Sequence, residues 1–176
     1  MTQAEAMFEP KIESLDAEDL QAIQKSKLSM LGKRLAKSQE WTDHFKSSGL
    51  SPTDLGDPDS FMAAPFLEKA DLRERYPFPL LSEQVSNVSR FCATSGTTGL
   101  PVLFGFTEAD QKLLARQVAR QLHCNDVRAQ DRGYNGFGFG LWVGGLAYDL
   151  GMQELGMTNF PVGPGRSEMV VQWLKD

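Results

Sequence analysis

The 176-residue sequence is poor in the residues that most often announce a chemistry, with two cysteines and two histidines. Cys92 and Cys124 have no C-x-x-C spacing, which excludes a disulfide framework and a cysteine zinc site, and no metal ligand set is assigned. His44 falls in a polar, helix-like stretch and reads as solvent-facing. His123, next to Cys124 at a helix end, reads as facing that helix's last carbonyls. Long apolar runs are also missing: the longest, Phe137 to Tyr148, is broken by four glycines and is too short to span a bilayer. The opening Met1-Thr2-Gln3-Ala4-Glu5-Ala6-Met7 has no basic segment before an apolar core, so it is no secretory signal. A cytosolic setting without a membrane is the expectation. Positive charge is not in excess, at 18 basic against 23 acidic residues, a net −5 that disfavours a nucleic-acid partner.

What is present suits a folded domain. Apolar residues make up 41% and charged residues 23%, ordinary for a globular chain. A length of 176 residues corresponds to one domain or slightly more. Charge is unevenly spread: residues 1–88 hold 10 basic and 15 acidic side chains, residues 89–176 hold 8 of each. A polyanion site therefore belongs in the second half, served by local arginine, backbone N–H or a metal ion.

The periodicity changes along the chain. Asp16 to about Lys37 reads as a helix capped by Asp16, with Leu20, Ile23, Leu28, Leu31 and Leu35 on one face. Ser47 to Pro58, with two glycines and two prolines, reads as a loop or linker. A short helix follows from Lys69 to Arg75, stopped before Pro77. Val88–Ala93 and Val102–Phe106 read as strands. A second long helix runs from Thr107 to about Leu122, with Leu113, Leu114, Val118 and Leu122 as its apolar face. Residues 133–145 are rich in glycine and aromatics; Val143–Leu155 reads as a helix, Asn159–Val162 as a strand and Gly163-Pro164-Gly165 as a turn. The last residues, from Ser167, read as a helix still under way at Asp176. The predicted fold class is α/β, with an N-terminal helical segment and linker over 1–60. Residues 61–176 then form part of a mixed β-sheet flanked by helices.

Between the two predicted strands lies Ser95-Gly96-Thr97-Thr98-Gly99. Glycines let the backbone approach an anion with converging N–H groups, and three hydroxyls add donors. The same composition also suits a polar hairpin turn. It is not a Walker A loop, because no Gly-Lys-Ser/Thr follows and the next element reads as a strand. Gly138-x-Gly140 with Gly144 lacks the last spacing of a dinucleotide fingerprint and reads as close packing. Phe137, Phe139 and Trp142 are equally at home in a core. Arg90 and Arg166 read either as anion contacts or as surface ion pairs.

Thr94-Ser95-Gly96-Thr97-Thr98-Gly99-Leu100-Pro101 resembles the phosphate-loop signature of the adenylate-forming superfamily. Three further stretches narrow the resemblance to the phenylacetate–CoA ligase branch: Lys69 to Phe78, Gly138-Phe139-Gly140-Leu141-Trp142-Val143-Gly144-Gly145, and Pro161 to Gly165. The opening Pro10-Lys11-Ile12-Glu13-Ser14-Leu15 also fits, so the likeness runs in order over nearly the whole chain. It implies the front of the large domain of such an enzyme, truncated at the C-terminus. It also implies a two-step ligase, in which a carboxylate attacks ATP to give an acyl-adenylate and a CoA thiol then displaces AMP. ATP, Mg²⁺ and CoA are the implied cofactors, and a phenylacetate-like acid the implied substrate. Ser95, Gly96, Thr97, Thr98 and Gly99 would hold the leaving phosphates, and Phe137 and Trp142 would stand beside the aryl acid. The adenylation lysine of the family has no counterpart here, so the fragment alone is expected to be inactive. A missing C-terminal portion, a partner chain or a second copy is expected to cover its exposed apolar surface. Leu100 stands where many relatives carry lysine, and Val102 where the wider superfamily often does, although the phenylacetate branch commonly lacks it too. These positions motivate a second reading: a stand-alone nucleotide- or aryl-acid-binding or assembly module without catalysis.

Overall fold

The computed structural model describes residues 7–78, 80–94 and 101–175. The chain forms two compact units, one built from residues 14–85 and the other from the chain on both sides of it.

The first unit is helical. α2 (Ala17–Leu35) starts at Asp16, whose carboxylate accepts from the Asp19 N–H at 2.9 Å. α3 (Gln39–Lys46) is capped by Ser38. Instead of a linker, the next segment winds into a 3₁₀ turn at Pro52–Gly56, with Pro52 and Leu55 buried. The reason is local: Pro52 opens the turn, and Ser51 and Asp54 satisfy each other's backbone N–H groups. Short helices α4 (Pro58–Met62) and α5 (Lys69–Glu74) follow. Leu35, Phe45 and Leu55 form the core, backed by Leu28, Leu31 and Trp41. The Trp41 indole N–H donates to the Leu80 carbonyl at 3.0 Å. Gly32 on α2 lets the 3₁₀ turn approach closely, since a Cβ there would lie 2.2 Å from the Pro52 carbonyl oxygen. His44 is half-buried rather than solvent-facing, its ring edge-on to Trp41 at 6.0 Å.

The second unit carries all the strands among the described residues. β1 (Arg90–Ala93) and β2 (Leu103–Phe106) pair antiparallel, with Cys92 opposite Phe104. Thr107 then caps α6 (Glu108–Cys124) in a capping box with Asp110. β3 (Arg132–Tyr134) and β4 (Thr158–Phe160) pair in parallel, joined through α7 (Val143–Leu155) as a parallel pair requires. α7 ends at Gly156, whose φ of 82° is the left-handed cap that glycine adopts without strain. α8 (Ser167–Trp173) lays Trp173 against Tyr134 and Phe160.

α6 and α7 pack on each other through small residues. The buried seam of α6 is Ala115, Val118, Ala119 and His123, and a Cβ on Gly151 would lie 2.4 Å from a Val118 methyl. Leu113, expected on the apolar face, is 51% exposed, because the seam is turned toward the two alanines. The short helix α1 (Pro10–Glu13) belongs to this unit: Arg116 and Arg120 both bind the Glu9 carboxylate, and Arg120 lies 3.6 Å from Glu13. His123 does not face the helix end either. Its ring is buried and lies 5.9 Å from Phe8, while Arg128 takes the His123 carbonyl at 2.8 Å.

Candidate functional site

The five loop residues Ser95, Gly96, Thr97, Thr98 and Gly99 lie outside the described residues; the structure fixes what holds their two ends. The Thr94 N–H donates to the Val102 carbonyl at 3.0 Å, and the Val102 N–H donates to the Thr94 hydroxyl at 3.1 Å. These bonds extend the β1–β2 ladder beyond its last strand pair, Ala93 and Leu103. Val102 is buried and serves as an anchor of the hairpin.

The other edge of β1 receives the aromatic–glycine segment, as the Ala93 N–H donates to the Leu141 carbonyl at 2.8 Å. One strand thus carries the residue that leads into the Ser95–Gly99 segment and also tethers the segment that presents Phe137 and Trp142. Those two rings meet edge-on, with centroids 5.0 Å apart and planes at 67°. Tyr148, on the second turn of α7, stacks on Phe137 at 5.6 Å. Phe137 is 43% and Trp142 48% exposed, so this is a surface patch and not a core cluster. Tyr148 escaped the sequence reading; its signal is its place five residues after Val143 on the helix that the segment feeds.

Close packing beneath the patch follows from Gly145. A Cβ there would lie 2.5 Å from the Gly138 carbonyl oxygen, so the first turn of α7 presses directly on the segment. Asn135, also missed in the sequence, is buried behind it and donates to the Gly145 carbonyl. Asparagine in a glycine-rich run reads as a turn residue, and only its partners reveal its burial.

Cys92 sits on β1 at 1% exposure. Burial pushes its thiol above the ordinary cysteine range, with the Arg90 charge pulling weakly the other way. Its contribution to stability is therefore full below the pKa of an unfolded thiol, and is lost as the pH rises through the folded value. Cys124 is exposed. At pH 8 an aromatic disulfide reagent should label Cys124 at once and Cys92 only after unfolding; rapid labelling of both would contradict the burial of β1. Arg90 and Arg166 are both exposed, and Arg166 precedes α8 without capping it through its side chain.

Among the described residues no group of three His, Cys, Asp or Glu side chains could hold a metal ion. No helix among them is long and apolar enough to cross a membrane.

No family model matches the chain. It is 35% identical over 174 residues to the phenylacetate-coenzyme A ligase of Thermus thermophilus, covering 97% of this chain and 38% of that protein. Against the phenylacetate-coenzyme A ligase of Aromatoleum evansii it is 32% identical over 166 residues, covering 94% and 38%. Among solved structures, a 2-hydroxyisobutyryl-CoA ligase in complex with 2-HIB-AMP and CoA matches with a TM-score of 0.87 at 26% identity, over 99% of this chain and 39% of that one. An open conformation of that ligase gives 0.86 at 25%, over 96% and 41%. The chain thus spans 38% of the length of these curated relatives. In sequence the chain is similar to these phenylacetate-coenzyme A ligases and in fold to the 2-hydroxyisobutyryl-CoA ligase, and it corresponds to an N-terminal part of such acid–CoA ligases.

Proposed function

We propose that this chain is the acid- and phosphate-binding front of a ligase that adenylates an aromatic, phenylacetate-like carboxylic acid with ATP and passes the acyl group to CoA. The observation that carries this reading is the bond from the Ala93 N–H to the Leu141 carbonyl, 2.8 Å, which ties the aromatic segment to the strand leading into the loop. An acid whose ring rests on Phe137 and Trp142 would find the triphosphate held a short way along that strand.

The chemistry asked of the loop is positioning and charge stabilisation. A carboxylate oxygen forms a bond to the α-phosphorus of ATP as the bond to the bridging oxygen of pyrophosphate breaks. Negative charge builds up on that leaving group, where hydroxyl and backbone N–H donors from Ser95 to Gly99 would receive it. The thiol of CoA then attacks the acyl carbon, losing its proton, and AMP leaves. The chain spans only 38% of the length of its curated relatives, so groups that complete the site are expected from the remainder. The 176-residue chain incubated with ATP, phenylacetate, magnesium and labelled pyrophosphate should therefore give no exchange above the blank. Acid-dependent exchange by this chain alone would overturn the claim that it needs the rest of a ligase.

The remainder of the enzyme, as a continuation or as a separate chain, is the partner we assign, and a second copy the alternative. Phe66, at 93% exposure, and Met62, at 82%, are the kind of apolar surface such a partner covers. The unpaired, reduced cysteines fit a cytosolic setting. Leu100 and the buried Val102 favour a second reading, a binding module without catalysis. Saturable ATP or phenylacetate binding by the chain, with no activity when the rest of a ligase is supplied, would select it.

A further inference from the structure

Asn135 is 2% exposed, and none of the chemistry above uses it. It lies directly after β3 and engages four groups. Its N–H donates to the Phe160 carbonyl at 2.9 Å, and its own carbonyl accepts from Gly163 N–H at 3.0 Å. Its side-chain Nδ2 donates to the Gly145 carbonyl at 2.8 Å, and Oδ1 accepts from the Phe137 N–H at 3.1 Å. One residue thus joins the end of the β3–β4 ladder, the turn at Gly163, the first turn of α7 and the aromatic segment. A buried amide is costly unless its partners stay in place, so the bonds hold one another in register.

Phe137 is located twice: its backbone by Asn135, its ring by Trp142 and Tyr148. We infer that Asn135 is a positioning residue, which sets where Phe137 and Trp142 present their rings to the aromatic group of the acid while touching no substrate itself. This rests on the reading of that patch as the wall of the acid site.

The test uses the 176-residue chain with Trp41→Phe and Trp173→Phe, which leaves Trp142 as the only tryptophan. Acrylamide quenching of Trp142 reports its position without ligand, and the same emission follows a phenylacetate titration. Asn135→Ser, which reaches neither partner, should raise quenching about twofold and weaken phenylacetate about tenfold. Asn135→Asp keeps the acceptor for Phe137 but turns a carboxylate oxygen toward the Gly145 carbonyl. It should fall between parent and serine variant, and it decides alone where the serine variant does not fold. Val118→Ala, in the α6–α7 seam away from the patch, lowers stability and should leave both readings at the parent's values. A folded Asn135 variant with parental quenching and phenylacetate affinity overturns the inference while leaving the acid site standing. A parent that binds no phenylacetate overturns the acid-site reading, and quenching still decides whether Asn135 positions Trp142. If both Asn135 variants unfold where Val118→Ala is folded, the residue is a determinant of the fold alone and the inference is overturned.

Discussion

Replacing Thr97 and Thr98 together by valine is expected to lower phenylacetate-dependent ATP–pyrophosphate exchange by about a thousandfold in a complete ligase carrying this chain, since one preorganised donor to a developing anion contributes about 10²–10³. Valine keeps the shape of threonine and removes only the hydroxyl, so the change falls on charge stabilisation and not on packing. The hairpin ends are held elsewhere, by the paired bonds between Thr94 and Val102, which leaves the fold intact. The loss should appear in the rate of adenylation, with the affinity for the acid at the parental value, because Phe137 and Trp142 are untouched. Steady-state exchange against acid and against ATP separates the two. Exchange within about twofold of the parent would remove the loop from the phosphate site, whatever its sequence.

The largest effect on stability is expected from a single methyl group. Gly32→Ala, in the last turn of α2, should gain at most about 1 kcal/mol from helix propensity taken alone. Here the new Cβ would lie 2.2 Å from the Pro52 carbonyl oxygen and 3.1 Å from its carbon, both backbone atoms. The turn that carries them is held by the Ser51–Asp54 capping box and cannot swing aside cheaply. Overpacking of this kind costs about 1–3 kcal/mol and at times more, so the clash outweighs the propensity gain and a net loss of about 2 kcal/mol is expected. A unit of this size has roughly 4–11 kcal/mol in hand, so the loss is a sizeable share. Urea unfolding followed by far-UV circular dichroism checks it, with the exposed Lys33→Ala as the neutral control. A Gly32→Ala chain as stable as the parent would mean that α2 and the 3₁₀ turn do not meet as described.

The two effects also mark what could be read from the chain. The bounds of α7 were legible because its apolar pattern runs unbroken to Gly156, and Thr107 announced α6 with Asp110 three residues on. The face of α6 was not, since leucine at 113 outranks alanine at 115 and 119 on any apolar count. What turns the alanines inward is the room that Gly151 leaves on a helix some thirty residues later. β3 went unread for a related reason: it is three residues long, with a glycine in the middle, and its partner comes only after a helix. Pro52 and Gly56 read as breakers, yet the same proline opens a packed turn once Ser51 is there to cap it. At the candidate site, residue types pointed to the loop and to Phe137 and Trp142 by resemblance. Tyr148 and Asn135 carry no such mark, because their value comes from neighbours that only the folded chain supplies.

The bonds from Glu9 to Arg116 and Arg120 join residues 107 and 111 positions apart, and the whole helical unit lies between them in the chain. On a ribosome, that helical unit can complete its local contacts while the opening segment still waits for its arginines to be made. Assembly of the strand-bearing half therefore includes capture of the chain's opening segment across the helical unit, so slow translation ahead of Arg116 would prolong the time in which α1 has no place to dock.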